Sequence, residues 1–243
     1  MSTDTPTLAE RDIAVIEREA AFTRFRAEAD ACRAAMAVDW PAAEHGRLRL
    51  GPIVVSEHAA QIEALCAIFG GHGRGCPAGA YTGLWIANYL WMSDTPDERR
   101  DHIEFVLDVL RARRTRILVT GLGLGMVVRG LATVPSVTHI DVVENDLDVV
   151  ALVGPLVTAY AAERGTQVRV HTGDALAGWR ALPAWDDEPT WRADAAWHDI
   201  WPTICADHWA DMKAIKRAYR GRVSYQACWV ESIVRALATG RSR

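Results

Sequence analysis

The sequence predicts an α/β fold: a mostly parallel sheet with helices on both faces, behind an N-terminal helical extension. Three observations point there. From residue 115 onward, short apolar runs alternate with helical patterns, which predicts a parallel sheet with right-handed crossovers. The run Ile117-Leu118-Val119 is apolar without alternation, the mark of a strand covered on both faces. It leads through Thr120 into Gly121, Gly123 and Gly125, and a helical pattern (Met126, Val127, Val128, Leu131) follows at once.

Composition narrows the class. Of the 243 residues, 50% are apolar and 24% charged, which is ordinary for a globular chain. That length suits one α/β domain plus an extension. A net charge of −4 argues against a protein built to hold nucleic-acid backbone. No apolar run approaches the ~20 residues that span a membrane, and Met1–Pro6 lacks the basic start and apolar core of a signal peptide. Five scattered cysteines without a C-x-x-C pair fit reduced thiols, so a cytoplasmic protein is expected. His72 and Cys76 stand four apart but have no second ligand pair nearby; no metal site is expected.

Taken in order, residues 7–38 read as one long helix with Leu8, Ile13, Ile16, Phe22, Phe25, Cys32 and Met36 broadly on one side. Glu and Arg populate the other side, several at i, i+4 spacing. Such a helix is either a packing arm or an oligomerisation element, which leaves a homo-oligomer open. Trp40-Pro41 ends it. Arg47-Leu48-Arg49-Leu50 alternates and Pro52–Val55 continues extended, a strand or short hairpin. Ser56 caps a helix from about Glu57 to Ile68. The glycine-rich stretch 70–79 reads as a linker or lid, and the stretch from Tyr81 to Met92 is aromatic and apolar. From Ser93 to Glu98, a capping residue, a first-turn proline and acids coincide, starting a helix that runs to about Arg113. Strands are then expected at 116–120, 138–143, 167–171, 193–198 and 222–227. The helices between and after them fall at 125–133, 146–162, 204–219 and 229–238.

The strand ends carry the chemistry. Glycines permit positive φ and let backbone N–H groups approach a ligand without a Cβ in the way. The next helix adds unpaired N–H donors. Gly121, Leu122, Gly123 and Gly125 thus form a cradle for a nucleotide-type cofactor. The second strand ends in Glu144-Asn145-Asp146, where an acid accepts hydrogen bonds from both ribose hydroxyls. Each such bond is worth roughly 1.5–3 kcal/mol. The alternative is that Glu144 and Asp146 merely cap the next helix, and Asp146 reads as such a cap. At the third strand end, Gly173-Asp174-Ala175 either meets an exocyclic amine such as that of adenine or caps the next turn. The fourth ends Trp197-His198-Asp199-Ile200-Trp201-Pro202, at the carboxyl edge where open α/β folds bind ligands. Asp199 orients or deprotonates a substrate, touches the cofactor's amino group, or caps the following helix. His198 is a base or a structural strand-end residue. Six tryptophans crowd 179–209 (Trp179, Trp185, Trp191, Trp197, Trp201, Trp209); packing accounts for most, and Trp201 stands beside the reactive edge. Tyr81 joins it as a candidate substrate residue.

Residues from about 81 to 230 resemble class I S-adenosylmethionine-dependent methyltransferases, and within them the spermidine-synthase-like branch. The resemblance lies in Leu118–Gly125, Val142–Asp146, Thr172–Ala175 and the segment Asp194–Pro202. It implies a Rossmann-like sheet and S-adenosylmethionine as cofactor. Gly121, Gly123 and Gly125 would line its methionine and ribose side, Glu144 hold the ribose and Asp174 the adenine. Asp199 would face the sulfonium and the acceptor. Asp97-Glu98 and His102 fit the spacing of a substrate-binding cluster in that branch, with Asp101 and Ile103 where its Tyr and Glu would stand. Val119 stands where many methyltransferases carry an acid, and Pro202 where the branch carries a second one. Met126 occupies the last position of G-x-G-x-x-G counted from Gly121, against a dinucleotide oxidoreductase. The resulting expectation is a methyltransferase with a small, aromatic or amine acceptor. An aminopropyl-type transferase and a non-catalytic cofactor-binding module are the alternatives. Residues 1–80 are expected to form the extension and 81–243 the cofactor-binding catalytic domain.

Overall fold

The computed structural model describes residues 8–68, 76–179 and 190–240. Most of the glycine-rich stretch read as a linker or lid, including His72, lies outside them, as does Trp185.

The first half of the chain builds α1 (Leu8–Ala35), β1 (Ala43–His45), β2 (Leu48–Val55), α2 (Glu57–Ile68), β3 (Gly79–Ile86), β4 (Tyr89–Ser93) and α3 (Pro96–Arg111). Its four strands form an antiparallel sheet in the order β1-β2-β3-β4. The aromatic stretch after residue 80 is therefore a hairpin, turned at Ala87, whose φ is +53°. Pairing of β2 with β3 runs unbroken from Leu48 opposite Ile86 to Val55 opposite Gly79. Position 80, where the extension was expected to meet the next domain, thus lies inside this sheet, Ala80 opposite Val54.

The long helix divides into two regimes. Ala29, Cys32 and Ala35 are buried, and the helix packs on α3 and on the later helix that follows the glycine turn. Val15, Ile16 and Phe22 are exposed. From Val15 onward, the apolar side read along 7–38 is covered only toward its C-terminal end.

The second half gives β5 (Arg116–Thr120), α4 (Met126–Ala132), β6 (His139–Glu144), α5 (Leu147–Ala162), β7 (Gln167–Thr172), β8 (Ala193–His198), α6 (His208–Ala218), β9 (Val223–Cys228) and α7 (Glu231–Thr239). All five strands are parallel, in the order β7-β6-β5-β8-β9. This is a Rossmann-like α/β sheet. The chain order reverses at β5, and such a switch point opens a crevice at the carboxyl ends of the strands.

Strand alternation sends Ile117 and Val119 into a core shared with α1, α3, α4 and α5, and Leu118 into a second core with Met212, Ile215 and Tyr219. In that second layer the Asp141 carboxylate is buried and fully engaged. It accepts from Trp191 Nε1 (2.8 Å) and from Arg116 Nε and Nη2 (both 3.2 Å), and lies 3.1 Å from His171 Nε2. Among the described residues no helix is long and apolar enough to cross a membrane.

Candidate functional site

A cavity of about 750 Å³ opens at the carboxyl edge of the parallel sheet, and the antiparallel sheet contributes one wall. Its lining comes from β4, the first turns of α3, the glycine loop, the ends of β6 and β8, the turn after β7 and the start of α6.

The three glycines of the loop have φ of +87°, +49° and +77°, so each adopts a conformation that other residues rarely tolerate. The room left by their missing side chains is taken by the protein itself. A Cβ on Gly121 would lie 1.8 Å from the Asp199 carbonyl, and one on Gly125 2.3 Å from Val157. A Cβ on Gly123 would lie 2.4 Å from the sulfur of Met92. The sequence reading reserved this room for a ligand; the close approach that requires glycine is intramolecular.

Glu144 is buried at the tip of β6. Its Oε2 accepts from Leu122 N–H at 2.7 Å and its Oε1 from Asp146 N–H at 2.9 Å, which ties the glycine loop to the next turn. Asp146 caps α5 by accepting from Asp148 N–H at 3.0 Å, as read from sequence, and also pairs with Arg47 of the β1–β2 turn. Asn145 and Ala175 line the cavity. Asp174 both lines it and caps a short turn, accepting from Leu176 N–H at 2.9 Å.

Asp199 lies just past β8, anchored by its backbone N–H to Thr120 O at 2.8 Å. The cap of α6 is Asp207, so Asp199 is not committed to that helix. Burial raises its pKa from 3.8 to about 7, helped by the charges of Glu98, Asp101 and Glu144 and opposed by the Trp197 indole. Facing it from α3 is His102, 3% exposed, whose Nδ1 sits 3.6 Å from Asp199 Oδ2 and has no hydrogen-bond partner. Burial lowers His102 to about 4, so the imidazole is neutral at pH 7.

The cavity gathers Glu144, Asp174, Asp199, His102 and Trp201, whereas His198 and Tyr81 stay outside it. His198 follows the strand alternation: its neighbours Trp197 and Asp199 line the cavity, and its own ring turns into the second core. There it lies 3.0 Å from Thr120 Oγ1 and 3.1 Å from Gln226 Oε1 and stacks on Tyr219. Burial holds it down at about 4, a structural histidine rather than a base in the cavity. The Tyr81 hydroxyl donates to Pro77 O at 2.9 Å. Among the other tryptophans, Trp191 is a core residue bound to Asp141, and Trp179 packs against the Arg222 guanidinium at 3.8 Å.

Sequence reading missed the contribution of β4: Leu90, Trp91 and Met92 all line the cavity. Only long-range strand pairing brings them there, and their own sequence carries no sign of it. Glu98 also lines it, and its carboxylate is bound by Ser93, through N–H at 2.9 Å and the hydroxyl at 2.6 Å. Burial raises the pKa of Glu98 despite those bonds. Counting Asp97, Asp101 and Asp211 as well, seven carboxylates line the cavity, and no lysine or arginine does among the described residues. Nor does any group of three or more His, Cys, Asp or Glu among them form a metal site.

The sequence matches no family model and no curated protein. Solved structures are similar to it at low scores, three of them as follows. One is a candidate caffeoyl-CoA O-methyltransferase from Staphylococcus aureus, with TM-score 0.36 and 16% identity over 49% of this chain and 51% of that one. The iminosuccinate reductase of Paracoccus denitrificans in complex with NAD+ gives 0.32 and 11%, over 76% and 61%. A lysine cyclodeaminase gives 0.29 and 15%, over 78% and 58%. The chain thus spans about half to three fifths of those proteins, and likeness at this level decides nothing about function.

Proposed function

We propose that the protein is an S-adenosylmethionine-dependent methyltransferase whose acceptor is a small amine. The observation that carries this reading is the charge of the cavity: seven carboxylates, and no cation from the described residues, surround a glycine loop at the switch point of a parallel sheet. A dinucleotide would bring a diphosphate into that field, where like charges repel strongly at low dielectric. A sulfonium and an ammonium are attracted to it. The cavity volume of about 750 Å³ falls in the ordinary range for small-molecule sites.

The residues present fit that cofactor. Glu144 keeps carboxylate lone pairs for ribose hydroxyls beyond the two N–H bonds it accepts. Asp174 lines the cavity one strand further along the sheet edge and would accept from an adenine amine. Bound S-adenosylmethionine supplies an electrophilic methyl carbon on its sulfonium. The protein's part is alignment and exclusion of water, and alignment alone is worth up to about 7–11 kcal/mol. Asp199, with its pKa at about 7, is the group that takes the proton leaving the acceptor nitrogen. His102 stays neutral beside it, so no imidazolium competes for the carboxylate.

Calorimetric titration with S-adenosylmethionine, S-adenosylhomocysteine, decarboxylated S-adenosylmethionine and NAD tests the reading. The first two are expected to bind, and Glu144→Ala to weaken both by about 10–100-fold through loss of charge-assisted bonds. Preference for the decarboxylated compound would turn the reading toward aminopropyl transfer. Binding of NAD alone would overturn it.

A further inference from the structure

The glycine loop has few N–H groups left for a ligand. Gly121 N–H donates to Val143 O at 2.8 Å, Leu122 N–H to Glu144 Oε2 at 2.7 Å, and Gly125 N–H to Leu122 O at 2.8 Å. Those acceptors are backbone carbonyls or a buried carboxylate and stay in place. Leu124 N–H differs: it donates to the thioether sulfur of Met92 at 3.1 Å. Sulfur is a weak acceptor, and this one ends a flexible side chain that belongs to the other sheet.

Met92 also fills space. Its sulfur and terminal methyl lie where a Gly123 side chain would be, at 2.4 and 2.8 Å from the ideal Cβ position. The groups over Gly121 and Gly125 are a backbone carbonyl and a packed valine of α5. Of the three occupants, only Met92 can swing aside without moving backbone. Strand order locates this place in the site. Asp174, Glu144, the glycine loop and Asp199 follow β7, β6, β5 and β8 in turn along one edge. On the cofactor reading above, on which this argument rests, whatever lies over the loop is past the ribose and short of the acceptor. That is the methionyl tail.

We propose that Met92 is the chain's own occupant of the subsite for the cofactor's methionyl tail, so that the tail must displace a thioether to bind while a nucleoside need not. The displaced side chain gives up one N–H and the room over Gly123. A single oxygen acceptor, such as the tail's carboxylate, suits one freed donor. The cradle thereby discriminates between S-adenosylhomocysteine and adenosine at a residue that forms no part of the parallel sheet.

Calorimetry on wild-type, Met92→Ala and Met92→Leu proteins, with S-adenosylhomocysteine and adenosine as probes, tests this. Met92→Ala should tighten S-adenosylhomocysteine about tenfold and change adenosine less than about twofold. Met92→Leu keeps the bulk but frees the donor, and should tighten S-adenosylhomocysteine about threefold. This conservative change also carries the test if the alanine variant does not fold. The chain has five methionines, so methyl-labelled wild-type protein gives a resonance for Met92 that disappears in Met92→Leu. That resonance should shift with S-adenosylhomocysteine and not with adenosine. Equal tightening of both probes, tightening of neither, or binding of S-adenosylhomocysteine with the resonance unmoved overturns the proposal and leaves the cofactor reading standing. No S-adenosylhomocysteine binding by any of the three proteins overturns both.

Discussion

Asp141 and Asp199 are two shielded carboxylates of one parallel sheet, and they are treated in opposite ways. Burial alone would push both upward. At Asp141 the bonds from His171 and Trp191 and the charge of Arg116 outweigh burial and hold the carboxyl below its ordinary value. At Asp199 the neighbouring charges are Glu98, Asp101 and Glu144, and the carboxyl rises to about 7. One group is ionised and fully engaged in the middle of a packed layer. The other sits at the rim of a cavity, facing an imidazole nitrogen without a hydrogen-bond partner. The difference separates a carboxylate that holds the sheet together from one free to exchange a proton. Perturbed groups in a cleft are where chemistry is sought.

The contrast can be broken at either end. Asp141→Ala should have the largest effect, a loss of about 3–5 kcal/mol in urea unfolding, because it leaves the Arg116 charge beside an emptied, buried position. A loss below about 1 kcal/mol would show that Asp141 is not a structural anchor. Asp199→Asn should lower methyl transfer by about 100-fold or more. Its affinity for S-adenosylhomocysteine should stay within about threefold, and a parallel loss of both would erase the division of roles between Asp199 and Glu144.

The smaller effect is on stability against pH, and its sign differs for the two groups. Asp199 holds its proton more tightly folded than unfolded, so its contribution is complete below the ordinary carboxylate pKa and is lost as pH rises toward about 7. Glu98, also raised, works in the same direction. Asp141, held low, contributes above the ordinary value and loses that contribution only as pH falls through its folded value. His102 and His198, lowered to about 4, gain over the same range, so the readout is a difference: between about pH 4 and pH 7 Asp199→Asn should gain about 2 kcal/mol on wild type. A slope unchanged in the variant would place the titration elsewhere in the cavity. Asp141→Ala should alter only the acid arm.

Much of the parallel sheet was legible. β5 is a short apolar run, the other strands mix apolar with polar residues between turn residues, and the observed spans fall within a residue of those expected, 116–120 and 193–198 matching at both ends. The rim residues Glu144, Asp174 and Asp199 were readable for the same reason, since a strand end is a local event. The antiparallel sheet was not. Pairing of β2 with β3 crosses a glycine-rich stretch and leaves no local mark, so Leu90, Trp91 and Met92 went unrecognised as cavity wall. His198 misled because a residue's type says nothing about which face of its strand it takes, and one step of register sends a side chain to the opposite layer.

By itself, then, the sequence determined what depends on neighbours in the chain: the βα alternation, the left-handed glycines after β5, the acid at the tip of β6 and the cap at Asp146. Tertiary structure alone decided what depends on distance across the fold. It brought α3 and β8 close enough to set His102 against Asp199, and it surrounded that carboxyl with like charges. It also laid a methionine from one sheet onto the glycine loop of the other. Hydrogen bonds of a turn close within a few residues, whereas burial and Coulomb interactions sum over whatever the fold brings near.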